Sequence, residues 1–336
     1  MLYVAWASRP CQSALIRARR PCYVKASLAT HPDKLLPADT DAARPAGWAQ
    51  RGIGTATQHK FFYYLMKYGG KARGYHMADI ATFWYALFYP SVRRRCRFYL
   101  DRRFPDRRGR LRKFFDTYRL LRTYGHTLVD MMVLGMFGKE AVQAGSPNHD
   151  ELLALTSGQV GFTVLHAHVG CWQVGMSTLD HFGKSVSIVM IPEPRTTALF
   201  AEQGISVIDP RSGMQSTMEM TEVLLKGQVL AMMGDRALGD GNTVPVLFLG
   251  GTVHLPVTPY RLASATGTPI FVLTAPKIAR GKYELRLSKV IQVPPRLGRE
   301  ASHYTPYAQQ FVDVIEQFVK DFPWQYHNFY DLWEKR

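Results

Sequence analysis

Short runs of aliphatic and β-branched residues alternate with segments of helical periodicity from about Asp150 onward. Six runs are typical of strands: GFTVLHAH, KSVSIVMI, GISVID, GQVLAMMGD, TPIFVLTAP and YELRLSKVI. Four other segments are typical of helices: STLDHF, STMEMTEVLLK, TPYRLASATG and TPYAQQFVDVIEQFVKDF. Strands that alternate with helices are joined by crossover connections, which favour parallel pairing. The pattern therefore predicts an α/β core in which a mostly parallel sheet is flanked by helices.

The first part of the sequence has a different character. Residues 47–145 carry large apolar side chains at helical spacing and few β-branched runs, which predicts a helical region that precedes the core. Residues 1–46 are rich in Ala, Pro, Arg and Thr and lack sustained periodicity, which is typical of a poorly ordered extension. We therefore expect three parts, residues 1–46, 47–145 and 146–336, of which the last two form one integrated unit.

The charge of the chain is concentrated in the helical region. The sequence holds 42 Lys and Arg residues against 26 Asp and Glu residues, a net charge of +16. Residues 93–122 alone contain 13 basic residues and 3 acidic ones. Directly before them, residues 80–92 (IATFWYALFYPSV) are aromatic and apolar, but too few to cross a hydrocarbon core of about 30 Å. An aromatic helix followed by a polybasic one is typical of a protein that lies on an anionic membrane surface.

We expect this membrane-docking surface to use two aromatic and four basic side chains: Trp84, Phe88, Arg93, Arg94, Arg95 and Arg97. A solvated basic face is an alternative explanation of the same pattern. Nucleic acid is a less favoured partner, because no recognised nucleic-acid-binding motif accompanies the charge. The sequence thus predicts an anionic membrane surface as a partner and no nucleic acid.

Several classes of site are disfavoured by motifs that the sequence lacks. The four cysteines are scattered without C-x-x-C spacing, which argues against a structural zinc site. The nucleophile elbow G-x-S-x-G and the zinc motif H-E-x-x-H are absent, as are the phosphate-binding loops G-x4-G-K-[ST] and G-x-G-x-x-G. We expect neither a bound metal nor a resident cofactor.

His168 is the strongest candidate for chemistry. It follows a predicted strand in TVLHAHVGCWQVG and precedes a predicted helix, a frequent position for active-site residues in α/β folds. Its imidazole can take a proton from a hydroxyl near neutral pH. A single histidine at a strand end is more often structural, so this position alone does not define a site. His166, two residues earlier, is either a second active-site imidazole or, as we favour, part of the core.

The residues around His168 resemble a known motif. His168-Val-Gly-Cys-Trp-Gln173 looks like the H-x-G-x-W-[DE] form of the H-x4-[DE] motif of lysophospholipid-type acyltransferases, and more specifically of the late acyltransferases of bacterial lipid A biosynthesis. Other segments resemble this family in the same order: WAQRGIG at 48–54, YLDRRF at 99–104, GDR at 234–236, VLFLG at 246–250 as a V-x-F-x-G loop, TPYRLA at 258–263, TGTPI at 266–270 and PWQYHNFYDLW at 323–333. The resemblance covers roughly residues 48–334.

The resemblance implies both a fold and an activity. The implied fold is a glycerolipid-acyltransferase-like core. The implied reaction moves a fatty acyl group from a thioester, on acyl carrier protein or coenzyme A, to a hydroxyl of a lipid A precursor, a lysophospholipid or a related glycolipid. The thioester is a co-substrate, so no cofactor is implied. The implied location is the cytoplasmic face of the inner membrane, as a peripheral or monotopic protein.

The resemblance also implies roles for individual residues. His168 is the general base, and an acid five positions later holds its imidazole in the productive tautomer. Here that position is Gln173, which can accept a hydrogen bond but supplies no countercharge. Three explanations remain open. Asp235, at the end of another strand, takes the role of the acid; a His–Gln pair suffices; or the chain is a catalytically silent, lipid-binding homologue at the membrane surface.

Four further residues are candidates for substrate binding. Arg236, next to Asp235, is a candidate for binding a phosphate or stabilising the thioester oxyanion, although a salt bridge explains it equally well. Arg195 follows Ile-Pro-Glu-Pro after a predicted strand and is a candidate for contact with an anionic substrate. Gly170 and Trp172 of the motif complete the predicted substrate-binding set.

Overall fold

The computed structural model describes residues 56–176, 183–192, 204–237 and 242–333, together with positions 197, 200 and 201. The predicted extension 1–46 and the helix expected at STLDHF (177–182) lie outside the described residues. The described chain contains both helices and sheets, which confirms the mixed α/β class expected from the sequence.

Three long helices precede the main sheet: α1 (Ala56–Phe88), α2 (Pro90–Arg103) and α3 (Arg110–Phe137). Gly70 interrupts α1 with a φ of +76°, a conformation that favours glycine, so the helix is kinked there. Pro90 begins α2, where its fixed φ suits the first turn and its missing N–H is not needed. Tyr75 of α1 and Val129 of α3 belong to one buried apolar cluster. Among the described residues, no helix combines the length and the apolar character that crossing a bilayer requires.

A six-stranded sheet forms the centre of the fold. In spatial order its strands are β11 (Arg286–Ile291), β8 (Ile270–Thr274), β2 (Phe162–His166), β5 (Val229–Met233), β3 (Val186–Val189) and β4 (Ile205–Ile208). β8, β2, β5, β3 and β4 pair in parallel, whereas β11 pairs with β8 in the antiparallel sense. β2, β5 and β8 are buried along nearly their whole length, as is typical of parallel strands covered on both faces.

Shorter helices lie between or after the strands along the chain: α4 (His149–Thr156), α5 (Trp172–Met176), α6 (Met214–Leu225), α7 (Thr258–Thr266) and α8 (Thr305–Asp321). The last of these, α8, buries Phe311, Ile315 and Phe318 in the main apolar cluster. These positions are separated by four and three residues, so they lie on one face of the helix. The amphipathic pattern that predicts this helix is thus used to cover the sheet.

A β-hairpin occupies part of the segment that the sequence suggests to be a loop. β6 (Thr243–Phe248) and β7 (Gly251–Pro256) pair antiparallel as a separate two-stranded sheet. Residues 246–248 of the V-x-F-x-G motif therefore lie in a strand. Only Leu249 and Gly250 form the turn, with φ values of +47° and +74°, as a two-residue hairpin turn requires.

A small third sheet connects the helical region to the core. It contains β1 (Gln143–Gly145), β10 (Lys282–Glu284) and β9 (Lys277–Ala279). β1 follows α3 in the sequence and pairs in parallel with β10, which pairs antiparallel with β9. The chain that leaves the helical region is therefore hydrogen-bonded to strands that follow β8.

A buried polar cluster joins the same elements. Asp130 of α3 accepts hydrogen bonds from the hydroxyls of Tyr75 and Tyr283 and from the ammonium of Lys277. The Asp130 and Lys277 side chains are only 1% and 8% exposed. Burial disfavours the charged ammonium and lowers the pKa of Lys277, although the Asp130 carboxylate acts in the opposite direction. One carboxylate thus contacts α1, β9 and β10.

Replacing Asp130 with Asn removes the charge that faces Lys277 and tests this cluster. Because the ammonium is then buried without its counter-ion, we expect the free energy of unfolding to fall by about 3–5 kcal/mol. Urea denaturation followed by circular dichroism measures the change. The double variant Asp130→Asn/Lys277→Met removes both charges and should recover part of the loss. A double variant less stable than Asp130→Asn would contradict this interpretation.

Candidate active site

Two polar residues meet where β2 and β5 end. These strands lie side by side and pair in parallel, with His166 opposite Met233 as the last pair of the register. His168 and Asp235 each lie two residues beyond that pair. Because neighbouring parallel strands end at the same edge of a sheet, the two residues emerge next to each other.

Asp235 holds both the imidazole and the backbone of His168. The Nδ1 of His168 lies 2.9 Å from Oδ1 and 3.1 Å from Oδ2 of Asp235. The backbone N–H of His168 donates to the same Oδ2 at 2.9 Å. In a neutral imidazole this arrangement favours the proton on Nδ1 and leaves the Nε2 lone pair available to accept another proton.

The Asp235 carboxylate is buried yet ionised. Its side chain is 6% exposed, whereas that of His168 is 25% exposed. Burial acts to raise the pKa of Asp235, but the charge of His168, its hydrogen bonds and the charge of Arg236 outweigh burial, so the pKa lies below its ordinary value. The carboxylate is therefore charged at neutral pH and stabilises an imidazolium when His168 takes up a proton.

Close backbone contacts fix the loop that follows His168. Gly170 has a φ of +59°, and a Cβ at this position would lie 2.1 Å from the carbonyl oxygen of Ala275. The Gly170 N–H donates to the Gln325 carbonyl, and the Cys171 N–H donates to the Ala275 carbonyl. Gly170, a predicted substrate-binding residue, is thus buried in a contact that only glycine fits.

The structure does not bring Gln173 to His168. Gln173 lies on α5, and its Oε1 accepts a hydrogen bond from the Cys171 thiol at 3.6 Å. Within the described part of the chain, no hydrogen bond joins Gln173 to His168, so a His–Gln pair is not formed. Trp172, also in the motif, is half-buried and packs against an apolar cluster that includes Phe162. In the structure, the side chain that is hydrogen-bonded to the His168 imidazole is therefore that of Asp235 and not that of Gln173.

Arg236 is held by the carboxyl-terminal segment of the chain. Its Nη2 donates to the His327 carbonyl at 3.3 Å and to Oδ1 of Asn328 at 3.4 Å. Its guanidinium lies over the Tyr330 ring, 5.1 Å from the centroid. Its Nε is buried and has no hydrogen-bond partner among the residues that the structure describes. Arg195, the other arginine predicted to bind substrate, lies outside the described residues.

The carboxyl-terminal segment also pairs with the loop that carries His168. Val169 and Tyr326 form an antiparallel bridge, and the backbone N–H of His327 donates to the His168 carbonyl at 2.8 Å. The sequence identifies this segment only through its resemblance to a family signature and assigns no site residue to it. The available signal is the polar pair His327-Asn328 within the aromatic run PWQYHNFYDLW.

His166 belongs to the core rather than to the exposed part of the site. Its ring is buried, and its Nδ1 lies 3.1 Å from the Leu273 carbonyl oxygen. Burial lowers its pKa to about 4, so the imidazole is neutral near pH 7. Among the described residues, no group of three or more His, Cys, Asp or Glu side chains is arranged to hold a metal ion.

One family of known proteins matches the sequence of this chain. The sequence model described as bacterial lipid A biosynthesis acyltransferase matches residues 70–335, which is most of the chain. The chain belongs to this family. The resemblance seen in the sequence is thereby confirmed. A comparison with curated proteins gave no match.

Membership of the lipid A biosynthesis acyltransferase family indicates acyl transfer from a thioester donor to a lipid acceptor. In this acyltransferase the carboxylate beside His168 belongs to Asp235, which follows the neighbouring strand β5. The motif position five residues after His168 is occupied by Gln173, which contacts Cys171 instead. The side chain that holds the His168 loop thus follows β5 and does not lie on α5, the helix that follows the loop.

Replacing Gly170 with Ala tests the close contact at the loop. A methyl group there meets the Ala275 carbonyl and is strained by the positive φ, so we expect the free energy of unfolding to fall by roughly 2 kcal/mol or more. Gly158→Ala is the matched control, because a Cβ at Gly158 has no atom within 4 Å. Urea denaturation measures both variants. Equal effects of the two substitutions would contradict this account of Gly170.

Proposed function

We propose that this protein transfers a fatty acyl group from an acyl thioester, on acyl carrier protein or coenzyme A, to a hydroxyl of a lipid A precursor, a lysophospholipid or a related glycolipid. The observation that carries the proposal is the pair formed by His168 and the buried Asp235 at the carboxyl edge of the sheet. Family membership supports the class of reaction, and this pair supports the mechanism.

His168 acts as the general base in this mechanism. Its Nε2 accepts the proton of the acceptor hydroxyl while the hydroxyl oxygen forms a bond to the thioester carbonyl carbon. Asp235 keeps the ring in the required tautomer and stabilises the imidazolium. The tetrahedral intermediate then collapses, the carbon–sulfur bond breaks, and the imidazolium returns the proton to the departing thiolate. The products are the O-acylated lipid and a free thiol.

A catalytically silent, lipid-binding homologue is the alternative function. Its sole support is Gln173, at the position where the family motif has an acid. Because Asp235 provides a carboxylate at hydrogen-bond distance from His168, the absence of an acid at position 173 does not remove the countercharge. We therefore favour the active enzyme.

Arg236 is the described residue best suited to bind an anionic group of the substrate. Its positive charge acts on the Asp235 carboxylate, and its buried Nε has no hydrogen-bond partner among the described residues. We assign it to the recognition of a phosphate, with Arg195 as a second contact. Trp172 and Gly170 contribute by shaping the loop and the first turn of α5 beside the base.

An exposed apolar stripe on α1 supports docking on a membrane. Five apolar residues with i, i+3, i+4, i+7 and i+8 spacing lie on one face of the helix and are exposed: Ile80, Phe83, Trp84, Leu87 and Phe88. Trp84 and Phe88 are 56% and 53% exposed, and their ring centroids are 4.1 Å apart. A contiguous apolar stripe of this kind fits the interfacial region of a bilayer.

Basic side chains follow this stripe on α2. Arg94, Arg95 and Arg97 are exposed and available to anionic head groups. Arg93 has an internal role instead, because its Nη1 donates to the carbonyls of Ala86 and Leu87 at the end of α1. We propose that the stripe and these arginines hold the enzyme on the cytoplasmic face of the inner membrane, where it meets its lipid acceptor.

Variants of the proposed base and its partner test the mechanism. Acyl transfer is measured with membranes that contain the full chain, labelled acyl carrier protein or coenzyme A thioesters, and a panel of lipid acceptors. His168→Ala should abolish transfer, because it removes the imidazole that accepts the hydroxyl proton. Asp235→Asn should lower the rate by up to about 10⁴-fold, as the loss of the carboxylate does in a catalytic triad.

Gln173→Ala is the control for these variants. Since Gln173 does not contact His168, this substitution should change the rate by less than about tenfold. Transfer that persists in His168→Ala would overturn the proposed base. Loss of transfer in Gln173→Ala together with full activity in Asp235→Asn would show that the sequence spacing, and not the neighbouring strand, identifies the partner.

Charged substitutions in the apolar stripe test membrane docking. The variant Trp84→Asp/Phe88→Asp should bind vesicles that contain anionic phospholipid at least about tenfold more weakly, because two aromatic side chains no longer enter the interface. Met218→Asp is the matched control, since Met218 is 66% exposed but lies on α6, away from the stripe. Co-sedimentation with vesicles measures both. Equal binding by the two variants would rule out the stripe as the docking surface.

A further inference from the structure

His327 lies directly opposite His168. The antiparallel bridge pairs Val169 with Tyr326, so its register places residue 168 opposite residue 327. The hydrogen bond from the His327 N–H to the His168 carbonyl, at 2.8 Å, belongs to this pairing. Side chains of directly opposed residues in an antiparallel pair lie on the same face. The imidazoles of His168 and His327 therefore share a face, and Val169 and Tyr326 are buried on the other.

The imidazole of His327 is buried without a hydrogen bond at Nε2. His327 is 9% exposed, and its ring centroid lies 5.2 Å from that of Tyr124 on α3. No described group bonds its Nε2. Buried polar atoms are nearly always hydrogen-bonded in proteins, and a catalytic role is one explanation for an exception. An unpaired imidazole beside His168 is thus a group that a bound substrate can satisfy.

His327 stays neutral in this position. Burial disfavours the imidazolium, and the positive charges of His168, Lys277 and Arg236 disfavour it further, which together lower the pKa of His327 to about 3. A neutral imidazole keeps one N–H to donate. It also takes no proton from the acceptor hydroxyl at neutral pH, so it does not compete with His168 as a base.

Four consecutive backbone N–H groups of the loop after β2, those of residues 168–171, are already hydrogen-bonded. The His168 N–H donates to Asp235. The next three N–H groups, of Val169, Gly170 and Cys171, donate to the carbonyls of Ala167, Gln325 and Ala275. A negative charge that develops on the thioester oxygen beside His168 therefore requires a donor other than these four groups. Side-chain donors serve this purpose in other enzymes.

We propose that the neutral imidazole of His327 donates a hydrogen bond to the thioester carbonyl oxygen and stabilises the oxyanion that forms when the acceptor hydroxyl attacks. This assignment rests on the proposed acyl transfer and makes the carboxyl-terminal segment part of the catalytic site. His327 only donates a hydrogen bond, so the atoms of the reaction balance as before. The carbonyl oxygen becomes an oxyanion on attack, accepts the His327 N–H, and regains its double bond when the thiolate leaves.

Two substitutions distinguish a role of His327 as a hydrogen-bond donor from a role in packing alone. His327→Phe keeps a ring against Tyr124 and leaves the backbone bonds unchanged but removes the donor, whereas His327→Gln keeps a donor. We expect His327→Phe to lower kcat by about 10²–10³-fold with little change in KM, the effect of losing one oxyanion donor. The kcat of His327→Gln should be at least tenfold higher than that of His327→Phe. Urea denaturation verifies that both variants are folded.

An acyl dithioester, in which sulfur replaces the carbonyl oxygen, supplies an independent readout. Sulfur is a weak hydrogen-bond acceptor, so the wild-type rate should be lower with the dithioester than with the thioester. The decrease should be much smaller in His327→Phe, because this variant makes no hydrogen bond to the carbonyl oxygen. Equal sulfur effects in the two proteins, or a folded His327→Phe with normal kcat, would overturn the assignment. His168→Ala is measured in parallel. Acyl transfer by His168→Ala would contradict the proposed function itself. An inactive His168→Ala together with a fully active His327→Phe would contradict only the role of His327.

Discussion

The parallel pairing of β2 with β5 determines whether His168 and Asp235 meet at all. The pairing extends one residue beyond the strands, because the Gly234 N–H donates to the His166 carbonyl at 2.8 Å. Gly234 also permits close approach, since a Cβ there would lie 2.9 Å from the Leu165 side chain. A slip of one residue would move Asp235 by about 3.3 Å and turn its side chain to the other face. Asp235 would then no longer reach His168.

The remaining contacts of the His168 loop connect it to the helical region. The side-chain amide of Gln325 bonds the backbone N–H and carbonyl of Lys277, both at 2.8 Å. The Lys277 ammonium in turn bonds Asp130, on the helix that packs against α1. The loop, the carboxyl-terminal segment and the helices with the exposed apolar stripe thus share one buried network. This continuity links the proposed membrane-docking surface to His168, the proposed base.

The sequence predicts the helices and strands of this molecule well, but it predicts contacts between residues that are distant in the chain poorly. Strands and helices of the core follow from local periodicity, and Asp235 is found because it ends a strand next to that of His168. The pairing of His168 with Gln173 fails because spacing along the chain does not tell which neighbouring strand supplies a side chain. His327 is missed for the same reason, since only the folded chain brings the carboxyl-terminal segment beside the loop. The β6–β7 hairpin is missed because its motif resembles a loop.

The tautomer of His168 is the most direct test of the account, because the mechanism requires Asp235 to hold Nδ1 and leave Nε2 free. Long-range ¹H–¹⁵N NMR of the ¹⁵N-histidine-labelled protein, with His168→Gln to assign the signal, reports which ring nitrogen carries the proton. We expect a neutral His168 protonated on Nδ1, a pattern kept in Gln173→Ala and lost in Asp235→Asn. A proton on Nε2 in the wild type, or a pattern that depends on Gln173 and not on Asp235, would contradict it.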